Sequence, residues 1–150
     1  MATVTERQHW MKTLAKATPT ELAEHVSKLG ELPEYRFLRS PEIGLTMVRG
    51  RAGGSGNAFN LGEMTLTRCV VQLTELSEQT TGFGYVAGRS QQHAELAAVC
   101  DALLQQSQWH DRVQTGVIVP LRERYEEKLR SQQQQTASTQ VEFFTMLRGS

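Results

Sequence analysis

The sequence has no surplus of charge of either sign, because its 150 residues carry 16 Lys and Arg against 16 Asp and Glu. A protein that neutralises many phosphates of a nucleic acid normally has a basic surplus, so the composition excludes a general nucleic-acid binder. An acidic disordered chain is excluded as well, since 39% of the residues are hydrophobic. The length fits one domain with a sizeable core.

Cysteine is scarce and long apolar runs are missing. The two cysteines, Cys69 and Cys100, form neither a C-x-x-C motif nor a disulfide-rich pattern, which is typical of a reduced cytoplasmic protein. No run approaches the roughly 18 apolar residues of a membrane-spanning helix. Residues 1–8 are polar and lack the apolar stretch of a secretory signal. We therefore expect a cytoplasmic protein without membrane contact.

Lysine is also rare, because 12 of the 16 cationic residues are Arg. Arg presents a planar fork of hydrogen-bond donors that suits carboxylates, phosphates and subunit interfaces. Residues 36–68 contain five Arg against two Glu. The neutral total therefore contains a modestly cationic middle region, suited to a few specific anions or to partner carboxylates.

Periodicity predicts an α+β fold that opens with an αα-hairpin. Thr5 and Gln8 resemble a capping box for the first helix, and residues 18–21 (Thr-Pro-Thr-Glu) are a stronger start for the second. Residues 35–87 alternate with period two and predict an antiparallel β-meander of four to five strands, after which Ser90 caps a helix. The strands are expected at 35–39, 45–51, 59–61, 65–73 and 82–87.

A long C-terminal helical extension follows, so we divide the chain into an α+β core domain (1–108) and a C-terminal assembly extension (109–150). Residues 117–120 predict an apolar strand or a docking segment. The next helix is polar, yet the chain ends in apolar residues, which favours contact with another chain over folding back onto its own domain. This assembly tail contains Phe143, Phe144, Met146 and Leu147.

A glycine-rich stretch after the second strand is the first candidate site. Glycines allow backbone amides to approach an anion, and Arg side chains add charge-assisted hydrogen bonds. The stretch is not a P-loop, because no Gly-Lys-Ser/Thr follows and strands flank it on both sides. From composition alone, a flexible hairpin loop is the more common interpretation. The candidate residues are Arg49, Arg51, Gly53, Gly54 and Gly56.

Two further positions are candidates for an anion or subunit contact. Arg89 and His93 lie where the last strand gives way to a helix, whose first amides can bind an anion, although His93 also continues the apolar helix face as a structural histidine would. Glu95 lies two residues on, on another helix face, so no metal site is predicted. Arg68 is either an edge-strand charge or a site cation.

The sequence contains no nucleophile–base pair, carboxylate dyad or metal-ligand motif, so it favours a binding or assembly subunit over a self-sufficient enzyme. Several ordered blocks resemble the G-subunit family of the bacterial carbon–phosphorus lyase core complex over nearly the whole chain. The blocks are residues 7–11 (RQHWM), 53–56 (GGSG), 65–68 (TLTR), 88–89 (GR), 92–95 (QHAE), 101–103 (DAL) and 143–149 (FFTMLRG).

The resemblance implies a subunit of phosphonate catabolism, used when phosphate is scarce. It implies partner subunits H, I and J, with L and K, and two copies of the chain per complex; a contact between those copies stays open. With subunits H, I and L, the family supports attack of an alkylphosphonate on the ribose C1′ of ATP, with release of adenine. Catalysis is expected on subunit I.

The resemblance also implies no cofactor on this chain, with ATP as a substrate and an iron–sulfur cluster and S-adenosylmethionine on subunit J. We hypothesise that Arg49, Arg51, Arg68, Arg89 and His93 cluster at a surface facing an anion or subunit I. The alternative function is a structural adaptor that only keeps subunit I soluble. An independent small-molecule binder is disfavoured by the apolar C-terminus.

Overall fold

A computed structural model describes residues 3–51, 58–75 and 79–149, with side chains described outside 48–51, 58–61 and 137–149. The predicted α+β class is confirmed, with a three-stranded antiparallel sheet in the order β1-β2-β3. In chain order the elements are α1 (Val4–Lys16), α2 (Pro19–Ser27), β1 (Tyr35–Arg51), β2 (Ala58–Leu73), β3 (Thr81–Ala87), α3 (Gln91–Leu104), α4 (Ser107–Val113), a π-helical turn (Gln114–Ile118) and α5 (Val119–Gly149).

The helix starts follow local capping chemistry. The Thr18 side chain accepts a hydrogen bond from the Glu21 amide, and the Ser90 side chain accepts one from the His93 amide, as predicted. The first helix begins earlier than expected, because its capping box is formed by Thr3 and Glu6. Thr5 therefore lies inside the first turn. The amide three residues after it already donates to a carbonyl of the helix, so the Thr5 side chain has no amide to cap.

The sheet corrects the expected number of strands. Over the described residues, β1 and β2 each join two of the predicted strands, so three strands replace four to five. The expected turn at residues 40–42 is instead an irregularity within β1, with register shifts on both sides of Arg39. Pro41 is tolerated there because β1 is an edge strand, where the missing amide removes no obligatory ladder bond. Gly62, with a φ of 141°, lies on β2 at a separate register shift, opposite Val48 and Arg49 of β1.

Helix α3 is the centre of the molecule, with the sheet on one side and α1, α2 and α4 on the other. Glycines bring it unusually close to β3. A Cβ atom on Gly84 would lie 2.1 Å from the Ala94 carbonyl oxygen, and one on Gly82 would lie 2.0 Å from that of Ala98. No side chain fits between these backbones, so α3 is fixed against the sheet.

The hairpin of β1 and β2 extends beyond the rest of the sheet. β3 pairs with β2 only as far as the partners Leu66 and Ala87, whereas β1 and β2 remain paired to Arg51 and Ala58. We call residues 45–51 and 58–65 the β-arm; at about 3.3 Å per residue it is about 20 Å long. Leu45 and Met47 lie on one face of it and are 67% and 50% exposed.

The segment 117–120, expected as a strand or docking segment, is helical. Val117 and Ile118 end the π-helical turn and are buried in the core. The turn ends two residues before Pro120, whose ring crowds the preceding helical turn and which has no amide to donate. The core continues to Leu121, while the proposed division of the chain at 108/109 stays a prediction.

Helix α5 leaves the core after its first turns. The Lys16 ammonium lies 4.6 Å from the centre of the Tyr125 ring, and Lys128 donates a 2.8 Å hydrogen bond to Glu21. The side chains of residues 126–136 are exposed. In the described part of the chain, no helix combines the length and apolarity needed to span a bilayer.

Candidate functional site

The glycine-rich candidate lies at the end of the β-arm. Arg51 is the last residue of β1 and Arg49 lies two residues before it; the backbones of both pair with β2. Their side chains, and the whole of Gly53, Gly54 and Gly56, lie outside the described residues. An anion-binding or subunit-facing role for this loop stays a prediction.

Arg68 lies on the central strand, so the interpretation as an edge-strand charge is wrong. Its side chain is on the open face of the sheet, where its Nη2 lies 3.8 Å from Oε2 of Glu42 on the neighbouring strand. The same carboxylate lies 3.2 Å from Nη1 of Arg39. All three side chains are about half exposed, so each ion pair contributes no more than about 1 kcal/mol. Two Arg share one Glu, which leaves a positive charge on this face.

His93 is buried, with only 4% of its surface exposed. Its Nε2 lies 2.8 Å from the Leu14 carbonyl oxygen, and since a carbonyl can only accept, Nε2 carries a proton and donates it. Arg89 is exposed in the turn between β3 and α3. Since Arg68 is on the sheet face away from α3, the structure does not bring Arg68 and His93 together, and the anion-facing role of Arg89 stays a prediction.

Glu95 accepts a 2.8 Å hydrogen bond from the Tyr35 hydroxyl. Burial, reinforced by this carboxylate, raises the pKa of Tyr35 to about 12. Burial and the charge of Glu95 also raise the pKa of Cys69 to about 11. Burial and the neighbouring Asp101 raise the pKa of Cys100 to about 12. Both thiols are therefore protonated at neutral pH and are poor nucleophiles.

Sequence reasoning gave no role to a buried carboxylate on α3. Asp101 is fully buried, and its Oδ1 accepts hydrogen bonds from Arg7 Nε at 3.2 Å and Trp10 Nε1 at 2.8 Å. Its Oδ2 accepts from Arg7 Nη2 and the Phe83 amide, each at 2.9 Å. The carboxylate raises the pKa of Arg7 through these hydrogen bonds. This network fixes α1, and with it the Trp10 ring, against α3 and β3.

Trp10 forms part of a cavity of about 440 Å³ between α1 and the α4–α5 region. Its volume falls in the range of small-molecule sites. We call it the His9–His110 cavity. It is lined by Glu6, His9, Trp10, Thr13, His110, Gln114, Ile118 and Arg122.

His110 has a defined orientation in this cavity. Its Nδ1 lies 2.8 Å from the Leu104 carbonyl oxygen and, since a carbonyl only accepts, Nδ1 carries the proton and donates a hydrogen bond. Its ring meets that of Trp10 edge-on, with 5.8 Å between centroids. The neutral imidazole consequently carries its lone pair on Nε2, which can accept a proton, and the imidazolium can donate one from the same atom.

The cavity residues were missed because they are distant in sequence and polar at ordinary helical positions. Two signals point to them in retrospect. The blocks 7–11 and 101–103 of the family resemblance meet through the Arg7–Asp101 pair, directly behind the cavity. Gln114, Ile118 and Arg122 recur at a spacing of four, which places them along one helical stripe.

No group of three or more His, Cys, Asp and Glu within residues 3–51, 58–75 and 79–149 is arranged to hold a metal ion. The chemistry that these residues offer is hydrogen bonding, charge and proton transfer at imidazole. Several such groups line the His9–His110 cavity, which is partly open to solvent.

Comparison with known proteins gives one consistent result. The family model described as "Phosphonate metabolism protein PhnG" matches residues 5–149. A curated relative from Rhizobium meliloti (strain 1021) is 39% identical over 148 residues, covering 99% of this chain and 92% of the relative. It is named alpha-D-ribose 1-methylphosphonate 5-triphosphate synthase subunit PhnG.

Proposed function

The chain belongs to the PhnG family of phosphonate metabolism proteins, and we propose that it is a non-autonomous subunit of an alpha-D-ribose 1-methylphosphonate 5-triphosphate synthase. In the proposed reaction an alkylphosphonate oxygen attacks the ribose C1′ of ATP. The bond from C1′ to adenine N9 breaks, and adenine leaves with a proton in place of the sugar. The main catalytic groups are those of subunit I.

The observation that supports a subunit best is the β-arm. An isolated two-stranded hairpin is marginally stable in water, and here it also exposes Leu45 and Met47 on one face. Ile43, at the base of the β-arm on the same strand face, is 44% exposed. Contact with a partner would both bury these side chains and provide packing that the described residues of this chain do not give them.

The described residues also favour catalysis elsewhere. Cys69 and Cys100 are buried and protonated at neutral pH, and His93 is engaged with a backbone carbonyl. Helix α5 adds a second surface for assembly, because its exposed polar length ends in the assembly tail at Phe143, Phe144, Met146 and Leu147. We propose that the chain joins subunits H, I and J in the cytoplasm and is inactive when isolated.

A reconstitution experiment tests this function. Subunit I is purified in soluble form, and adenine release from ATP and methylphosphonate is measured with and without this chain. A rate that rises when the chain is added to soluble subunit I supports a direct role in the reaction. An unchanged rate with improved recovery of soluble subunit I supports the structural adaptor instead. A chain that neither associates with subunit I nor changes adenine release contradicts the proposal.

A further inference from the structure

The His9–His110 cavity has no part in the assembly argument, and its lining suits a ligand of definite chemistry. The Arg122 side chain is exposed and makes no hydrogen bond or ion pair with any described residue. A guanidinium offers several donors in a planar fork and binds phosphoryl oxygens through paired hydrogen bonds. An Arg at the wall of a cavity, without a carboxylate partner, is therefore available to a bound anion.

Other groups on the lining are complementary to the same kind of ligand. His110 presents Nε2, since its Nδ1 is held by the Leu104 carbonyl. Neither His9 nor Gln114 has a side-chain hydrogen bond with a described residue. An imidazole can donate to a dianion or accept from a protonated oxygen, so both protonation states of a phosphonate or phosphate fit.

One carboxylate, that of Glu6, lines the cavity, and it already caps the start of α1. Oε2 of Glu6 accepts a 3.1 Å hydrogen bond from the Thr3 amide in the capping box of α1. Its negative charge lies at the helix N-terminus, where the helix dipole stabilises it. The remaining polar side chains supply hydrogen bonds from the other walls.

The cavity also has a rigid apolar side. Trp10 is 3% exposed and its indole N–H is bound by Asp101, while Ile118 is 2% exposed. A ligand with an organic portion beside its anionic group would rest this portion on these side chains. The volume of about 440 Å³ admits more than a single tetrahedral anion.

We propose that the His9–His110 cavity binds a small organophosphorus anion, with Arg122 and Nε2 of His110 contacting its phosphonyl or phosphoryl oxygens. The choice of phosphorus chemistry rests on the proposed function, in which both substrates carry such groups. Two sources share this chemistry, namely the alkylphosphonate and the triphosphate of ATP, and the experiment distinguishes them.

Binding is measured on the full-length chain, and on the assembled complex, by ³¹P NMR and calorimetric titration with methylphosphonate, ATP and AMP. Binding of methylphosphonate identifies the phosphonate site, and binding of ATP but not AMP identifies a triphosphate site. Arg122→Gln and His110→Gln should each lower the affinity for the ligand at least about tenfold, the usual effect of losing a charge-assisted hydrogen bond. Arg130→Gln, which removes an exposed Arg of the same helix outside the cavity, should leave affinity within about twofold.

Glu6→Gln tests the sign of the ligand charge. Gln at this position retains the capping box, so the helix start is preserved while one negative charge is removed. An anionic ligand should bind more tightly to this variant, whereas a cationic ligand would bind more weakly.

The proposal is overturned if neither methylphosphonate nor ATP binds, if Arg122→Gln binds as tightly as the parent chain, or if Glu6→Gln weakens binding. Its failure is distinguishable from failure of the proposed function. A chain that stimulates adenine release but binds neither ligand through Arg122 refutes only the cavity proposal. A chain that binds them through Arg122 but joins no synthase refutes only the subunit proposal.

Discussion

Arg7 on α1 donates two parallel hydrogen bonds to Asp101 on α3, from Nε to Oδ1 at 3.2 Å and from Nη2 to Oδ2 at 2.9 Å. Asp101 is fully buried, whereas the Arg7 side chain retains 34% of its exposure. The pair therefore lies at the boundary between core and solvent. It holds the first helix of the chain on the central one, and it does so beside the wall of the His9–His110 cavity.

Replacing Arg7 with Met should lower the free energy of unfolding by about 2 kcal/mol. Removing one partner of a buried pair commonly costs about 3–5 kcal/mol, but water reaches the position of Arg7, and Trp10 and the Phe83 amide still bind the carboxylate. Urea unfolding followed by circular dichroism measures the change. Arg130→Met serves as the exposed control and should change stability by less than about 0.5 kcal/mol. Equal stability of the two variants would contradict the structural role of the pair.

The close contact between β3 and α3 predicts a strong effect of a single methyl group. Gly84→Ala places its Cβ 2.1 Å from the Ala94 carbonyl oxygen, so the helix must move away from the sheet. We expect a loss of about 3 kcal/mol in the free energy of unfolding. Gly44→Ala is the matched control, because nothing lies within 4 Å of its Cβ. A thermal unfolding midpoint that falls equally in both variants would show that the contact does not matter.

Alkaline pH should destabilise the chain. The folded pKa is raised to about 12 for Cys100, from 9.0, and to about 12 for Tyr35, from 10.0. The folded state therefore holds protons that the unfolded chain releases, so stability is complete below pH 9 and falls as pH rises towards 12. Urea unfolding in reducing buffer at pH 8 and pH 10 measures this loss. Cys100→Ala should show a smaller decrease between the two values, and a parent profile that is flat would refute the prediction.

Substitutions on the exposed face of the β-arm should weaken association with partner subunits while leaving the stability of the chain nearly unchanged. The double variant Leu45→Ser, Met47→Ser should unfold within about 1 kcal/mol of the parent, because both side chains are at least half exposed. Its association with partner subunits should weaken at least about tenfold, since two apolar contacts are lost. Co-purification and sedimentation measure association. Val4→Ser, at a 75% exposed position on α1, is the control and should assemble normally.

Truncation before Val141 removes the apolar tail and leaves the described core intact. We expect the shortened chain to retain its thermal unfolding midpoint within about 2 °C, because Leu121 is the last core residue among the side chains that the structure describes. Stable association with partner subunits should be lost. Assembly of the truncated chain at parental affinity would exclude the tail as an interface.

The parts of the fold that depend on neighbouring residues could be predicted from the sequence. The parts that depend on contacts between distant segments could not. The helix starts at Thr18 and Ser90 follow from the side chain and its nearest amides, and both are confirmed. The turn expected near Pro41 is wrong because pairing with β2 continues on both sides of it. The sequence of β1 alone does not indicate which strand it pairs with. Arg68 was correctly placed on a strand, but its position at the centre of the sheet depends on the strand order.

The candidate site shows the same division. His93 was predicted at the start of a helix, yet the Leu14 carbonyl that occupies its Nε2 comes from α1, 79 residues away in sequence. The His9–His110 cavity exists only because α1 lies against the segment that follows α4. Neither contact has a local signature, since each depends on where two helices meet. Counting charges locates a cationic middle region, but not Arg122, which lies outside it and forms no ion pair with a described residue.

Because of the π-helical turn at Gln114–Ile118, the direction in which α5 presents its side chains depends on the exact number of residues before it. Such a turn is equivalent to an α-helix that has gained one residue, and each residue of an α-helix corresponds to a rotation of about 100°. Loss of one residue from this turn would leave composition and charge nearly unchanged but would turn α5 about its axis. Arg122 would then face away from His110. Deletion of a single residue from this turn is therefore expected to remove Arg122 from the cavity although no lining residue is replaced.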